Sequence, residues 1–354
     1  MLYPLLFEPI YKETIWGGNH LQKIFDRQLP YEKTGESWDV SCRKNEMSIV
    51  RNGPYKGRGL DELIYSDWDG FMGSRICKDE PFPLLAKWID AADDLSIQVH
   101  PDDQFARVHE DEKNGKNELW YVQEAGACGD IILGHKDGVT KEKFLKAIDS
   151  GQLEECLYRL PVRKGDIVYI PSGTIHGITK GTVVAEIQQN CDLTYRVYDY
   201  DRIGLDGKHR PLHLDKFLSM SNFEPQDIRT LSGLTIDKKC ARETYYTANK
   251  YFSMVKLEVD GICAEKTHGE TFFIYICVEG EGSFTGAWGK IGVKAGDMVF
   301  VPAGLGEFKI EGNPILLKTW VPDIKKEFIA PLEEAGYEMA EILKDTLIDY
   351  FPMR

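Results

Sequence analysis

The chain has 354 residues, of which 42% are hydrophobic and 28% charged, a balance that builds folded cores and excludes disorder along most of the length. Its formal net charge of −14 argues against the clustered basic face that nucleic acid needs, although a few cations in one pocket would still serve a small anionic substrate. No run of about 18 apolar residues is present, so no membrane span is expected. The start, MLYPLLFEPIYKETIWGG, lacks the basic and apolar regions of a leader, and a cytoplasmic chain is expected. Eight cysteines without a Cys-x-x-Cys pair read as reduced thiols.

In chain order, residues 58–80 carry DELIYSDWDGFMGS, a short helical insert. The segments LSIQVHP, ELWYVQE, GDIVYIPSG and TVVAEIQQ alternate in polarity or run apolar between Gly, Pro and Asp, the pattern of short strands. Between the second and third of these, Thr140 to Leu157 places Phe144, Leu145, Ile148, Leu153 and Leu157 at helical spacing, with a break expected near Ser150-Gly151. The run VRKGDIVYIPSG (Val162 to Gly173) is echoed by VKAGDMVFVPAG (Val293 to Gly304), which predicts two diverged copies of one β-unit. From Pro331 to Phe351, apolar residues at Met339, Ile342, Leu343, Leu347 and Tyr350 predict a helical tail docked on the body or on a partner subunit.

Alternate side chains of a strand share a face, so Gln98 and His100 point one way and Ile97 and Val99 the other. Glu118 opens the next strand, and His176 follows a Pro-x-Gly turn. Two imidazoles and a carboxylate from three β-segments form a three-ligand site with open positions, and the Gln98 amide oxygen would be a fourth donor. Nitrogen and oxygen donors without sulfur suit zinc, manganese or iron(II). In the second copy Glu307 stands where the first has His176, and Phe272 and Phe273 stand where it offers Glu118, a poor zinc site.

The run Gly165-x5-Pro171-x-Gly173-x2-His176 resembles the second sequence motif of the cupin superfamily. QVHPD, Lys116-Asn117-Glu118, Gly173 to Gly177 (GTIHG) and Trp16-Gly17-Gly18 resemble the short bacterial form of the type I phosphomannose isomerases, over roughly residues 4–320. Gln98-x-His100 replaces the His-x-His of many cupins, and an insert from Pro101 to Asn117 delays the glutamate. The resemblance implies a mainly β fold of two cupin-type jelly-roll barrels with helical insertions. A metal-binding domain is then expected over 1–230, a degenerate second cupin over 231–325 and a helical tail over 326–354.

The resemblance further implies one zinc ion per chain on Gln98, His100, Glu118 and His176. It implies catalytic roles for Arg196, Lys116, Glu186 and Asp192, and substrate binding by Lys87 and Arg196. The expected substrate is a sugar phosphate, with mannose 6-phosphate and fructose 6-phosphate interconverted through an enediol. Neither nucleic acid nor membrane is expected as a partner, and monomer or homodimer stays open. An iron-dependent cupin dioxygenase and a non-catalytic sugar-binding cupin are the competing readings.

Overall fold

A computed structural model describes residues 1–224 and 227–349. The described chain is built mainly of strands and separates into two compact units.

One unit comprises residues 11–38 and 84–230. Its six-stranded sheet runs, in spatial order, Ile167–Ile170, Glu118–Glu124, Thr182–Gln189, Leu84–Ala91, Ile10–Gly18 and Thr34–Val40. A five-stranded sheet runs Leu157–Pro161, Asp130–His135, His176–Gly177, Ile97–Val99 and Tyr195–Tyr198. Thr182–Gln189 and Leu84–Ala91 are buried at every position, so a polar residue on either strand has no water to turn to. Apolar residues such as Ile89, Trp120, Val122, Leu133 and Ile170 pack one core, and Ile97, Val99, Ile132, Phe144 and Phe217 pack a second.

The other unit comprises residues 1–10, 39–83 and 231–354. Chain order assigns residues 1–10 and 39–83 to the first domain, but they cluster with the second barrel. Leu5–Leu6 pairs there with Met298–Val301, and Arg51 Nη2 meets Asp297 Oδ1 at 2.7 Å. The tail belongs to the same unit, so a boundary at 325 is not drawn by the packing.

The echo in sequence is an echo in structure. Gly165 N donates to Val122 O at 2.8 Å and Val122 N to Asp166 O at 2.9 Å; Gly296 N donates to Cys277 O at 2.8 Å and Cys277 N to Asp297 O at 2.9 Å. Each aspartate also caps its own turn, taking Arg163 N or Lys294 N at 2.9 Å.

Two helical expectations are refined and one is corrected. The 58–80 insert folds as Leu60–Ser66 and Trp68–Phe71. Lys141–Asp149 is helical, with Thr140 Oγ1 accepting from Lys143 N at its start, but Leu157 opens a strand. In the tail, Met339–Asp345 is helical while Leu347–Ile348 pairs in parallel with Thr247–Ala248, so Leu347 leaves the helix. Tyr350 and Phe351 lie outside the described residues. The expectation of eight free thiols is also corrected: Cys240 and Cys263 form a disulfide with Cα atoms 5.3 Å apart. Asp260 N donates to Cys240 O at 2.9 Å and draws the two segments together. No helix among the described residues is long and apolar enough to cross a membrane.

Candidate metal centre

His100, Glu118 and His176 are buried, and one ligating atom from each lies within 4.8 Å of the others. Three strands bring them together. His176 pairs in register with Gln98, and Glu118 with Ile170. The turn before His176 needs Gly173, whose φ is +79°, and a Cβ there would sit 2.9 Å from Met220 O. Gly173 N also donates to His100 O at 2.9 Å, tying the two histidine segments to each other.

The protons on both imidazoles are placed by the backbone. His100 Nδ1 lies 2.8 Å from Leu193 O, and His176 Nδ1 2.8 Å from Thr174 O. A carbonyl only accepts, so each Nδ1 carries the proton and each Nε2 presents a lone pair. Those Nε2 atoms face each other at 3.1 Å, and Glu118 Oε1 is 3.2 Å from His100 Nε2. Glu118 Oε2 is buried and accepts no hydrogen bond. Two lone pairs and a carboxylate gathered within 4.8 Å, with nitrogen and oxygen donors and no sulfur, form a donor set that fits a divalent metal.

The electrostatics agree. Burial and the Lys116 ammonium push the His100 imidazole down to about 3, and burial also lowers His176; both stay neutral and able to ligate. For Glu118, burial works against ionisation, but the Lys116 ammonium overcomes it and holds the carboxyl well below its usual range. Lys116 Nζ lies 2.6 Å from Glu118 Oε1 and 3.2 Å from His100 Nε2. Gln98 is turned with Nε2 toward His176 Nε2, at 3.3 Å, while its Oε1 accepts from Ser96 Oγ at 3.2 Å. To give an oxygen ligand the amide must flip.

A cavity of about 270 Å³ lies beside this centre, reached through Lys116 and Gln98, and Gln98, Lys87, Lys116, Glu186, Asp192 and Arg196 all line it. Every substrate-side residue named from sequence is therefore in one place. Arg196 does not sit on the turn leaving the Glu186 strand, as its nearness in sequence suggests; it lies in its own strand, Tyr195–Tyr198, opposite Gln98. Its guanidinium Nε is buried without a hydrogen-bond partner. Burial and the nearby Arg210 lower its pKa.

Glu186 Oε2 accepts from Trp120 Nε1 at 2.8 Å, while its Oε1 accepts no hydrogen bond. Burial and the Glu118 charge push the Glu186 carboxyl up to about 7, against the pull of Lys87 and Lys116. Lys87 loses by burial but gains more from Glu186 and Glu36, and its pKa is raised. The sequence reading did not single out Lys12, Glu36, Trp38 or Arg210, which also line the cavity. Glu36 and Trp38 sit in a segment, TGESWDV, whose alternation carried the only available signal.

A two-barrel β protein with a buried His-Glu-His centre beside a charged cavity is a metal-binding cupin of the enzymatic kind. The chain matches the model of the type I phosphomannose isomerase catalytic domain over residues 5–121 and that of the mannose-6-phosphate isomerase cupin domain over 242–320. It is 40% identical over 310 residues to the mannose-6-phosphate isomerase ManA of Bacillus subtilis, covering 87% of this chain and 96% of that one. It is 35% identical over 313 residues to the mannose-6-phosphate isomerase of Streptococcus mutans, covering 88% and 96%. The crystal structure of the mannose 6-phosphate isomerase from Bacillus subtilis superposes with a TM-score of 0.83 at 36% identity, covering 89% of this chain and 99% of that one. A solved structure from Archaeoglobus fulgidus, at 21% identity and a TM-score of 0.70 over 90% of this chain and 98% of that one, shares the fold. The chain belongs to the type I phosphomannose isomerase family.

Proposed function

We propose that this chain is a cytoplasmic aldose-ketose isomerase that interconverts mannose 6-phosphate and fructose 6-phosphate, with one zinc ion held by His100, Glu118 and His176 and with Gln98 as a fourth ligand. The observation that carries this reading is the convergence of two unprotonated Nε2 atoms and a carboxylate, which Lys116 and Gln98 link to a cavity rich in paired charge. When bound, the metal supplies Lewis-acid stabilisation of the oxygens that become negative as the enediol forms.

The protein's own groups divide the remaining work. The open-chain aldose loses the proton on C2, and a proton is delivered to C1 as the carbonyl moves to C2. Glu186 is the best placed carrier: Oε1 has no hydrogen-bond partner, and a carboxyl near neutrality both takes and returns a proton. Lys116, against Glu118 and His100, sits where oxyanion charge grows. The Arg196 fork, too basic to serve as the base, binds and steadies substrate oxygens. Asp192 and Lys87 complete the lining on the substrate side. The phosphate and the sugar hydroxyls need donors, and the cavity offers Lys12, Arg196 and Arg210; Arg210 is itself fixed by Asp199 at 2.7 Å.

Turnover of a panel of aldose 6-phosphates by dialysed protein, with elemental analysis of the same sample, tests the proposal. Turnover of mannose 6-phosphate above the other sugars, with bound zinc, is expected. Turnover confined to another sugar phosphate, or iron with oxygen consumption, would replace it.

A further inference from the structure

The strand Thr34–Val40 gives the cavity one carboxylate, Glu36. Its Oε2 accepts from the Trp38 indole Nε1 at 2.8 Å and from Lys87 Nζ at 3.1 Å. Glu186 is held in a parallel way, with Oε2 taking the Trp120 indole at 2.8 Å and Oε1 lying 3.1 Å from Lys87 Nζ. One buried ammonium therefore lies between two carboxylates, each pinned by a tryptophan.

The two sides are not equivalent. Lys87 makes a true hydrogen bond to Glu36, whereas Glu186 Oε1 accepts none, although Lys87 is 3.1 Å and Lys116 3.8 Å away. Close approach without a directed N–H leaves the Glu186 lone pairs open. Glu36 is itself kept ionised: burial opposes its charge, but Lys87 and the Trp38 indole overcome that and lower its pKa.

We infer that Glu36 is a positioning residue for proton transfer, drawing the Lys87 N–H to itself so that Glu186 Oε1 stays free to take the substrate proton. The inference rests on Glu186 as the proton carrier. A single positive charge shared by two carboxylates neutralises neither fully. Without the Glu36 charge, Lys87 belongs to Glu186 alone, and a buried ion pair with that oxygen covers the lone pair and weakens it as a base.

Glu36→Gln, loaded with metal, should lose about tenfold or more in kcat, the lower range for impaired acid–base work, with KM and bound metal unchanged. Its kinetic isotope effect with substrate deuterated at C2 should rise above that of the parent enzyme, because the proton step becomes more limiting. Glu36→Asp, which keeps the charge, should recover part of the loss. If the Gln variant does not fold, Trp38→Phe frees the same carboxylate and should show a smaller kcat defect with the same raised isotope effect. Full turnover in Glu36→Gln, or a change confined to KM, would overturn the inference. Glu186→Gln separates the two layers: if it retains turnover the assignment of Glu186 fails, whereas if it is inactive and Glu36→Gln is not, the role of Glu36 alone fails.

Discussion

The two barrels use one frame for opposite ends. In the first, Glu118 stands opposite Ile170 and Glu186 opposite Trp120; at the matching places in the second, Phe273 stands opposite Val301 and Lys318 opposite Tyr275. His176 pairs with Gln98 in the first, Glu307 with Lys266 in the second. Glu307 is exposed and lies 3.3 Å from Lys266, turned to solvent rather than inward.

The second barrel also encloses polar groups; Asn249 Nδ2, Trp288 Nε1 and Thr319 Oγ1 are buried without hydrogen-bond partners in its unit, but its buried ionic side chains are paired. Lys318 Nζ meets Glu265 Oε2 at 2.7 Å and lies 4.2 Å over the Phe273 ring, and Tyr275 donates to the same carboxylate at 3.1 Å. In the first barrel Glu118 Oε2, Glu186 Oε1 and Arg196 Nε are buried without hydrogen-bond partners. Unmet buried valence is costly in a structural core and useful in a site that must receive a ligand. The difference lies in a handful of inward positions, and the strands that carry them are otherwise alike.

Removing a ligand should break the contrast most severely. His176→Ala is expected to lower metal affinity and kcat/KM by more than about a hundredfold, since a site of few donors tolerates the loss of one poorly. Arg196→Ala should cost about a hundredfold in kcat/KM, the scale for one preorganised charge, with metal content and thermal midpoint unchanged. Either variant at full turnover would make the two interiors chemically alike.

On the other side of the comparison the effects should fall on stability. Glu265→Gln leaves the Lys318 ammonium buried without its counter-charge and should cost about 3–5 kcal/mol in denaturant unfolding, with kcat per folded chain unchanged. Adding Lys318→Met should recover most of that cost. Burial opposes the Glu265 charge, but Lys318 lowers its pKa below the usual value. Its contribution is therefore present above the ordinary glutamate range and lost as pH falls through the lower folded value. The double variant should show a flatter stability profile on that acid side. The smallest effect is reserved for Glu307→Gln, expected to change neither metal content nor turnover.

Much of the site was legible because its donors lie in strands with short, ordered motifs. Gln98-x-His100 follows from two-residue periodicity, and Gly173 marks the turn that carries His176 inward. Less visible were contacts closed by residues far apart in the chain. Leu193 O and Thr174 O fix which imidazole nitrogen ligates, and neither backbone oxygen has a sequence signature. Glu36 lies 51 positions from Lys87, so its part in the cavity appears only once the strands are side by side. The assignment of residues 1–10 and 39–83 to the second barrel's unit was hidden for the same reason: pairing of Leu5–Leu6 with Met298–Val301 is set by the closed sheet and by no local pattern. The Cys240–Cys263 bridge, whose half-cystines stand 23 positions apart, had no spacing to announce it.

The central claim is that one metal, held in the first barrel, supports the isomerisation. The most direct measurement is elemental analysis of dialysed protein alongside turnover of mannose 6-phosphate, for the parent chain and His176→Ala in parallel. One equivalent of zinc in the parent, with metal and turnover lost together in the variant, is the expected result. A full equivalent retained by His176→Ala, or turnover that persists after its metal is gone, would contradict the claim.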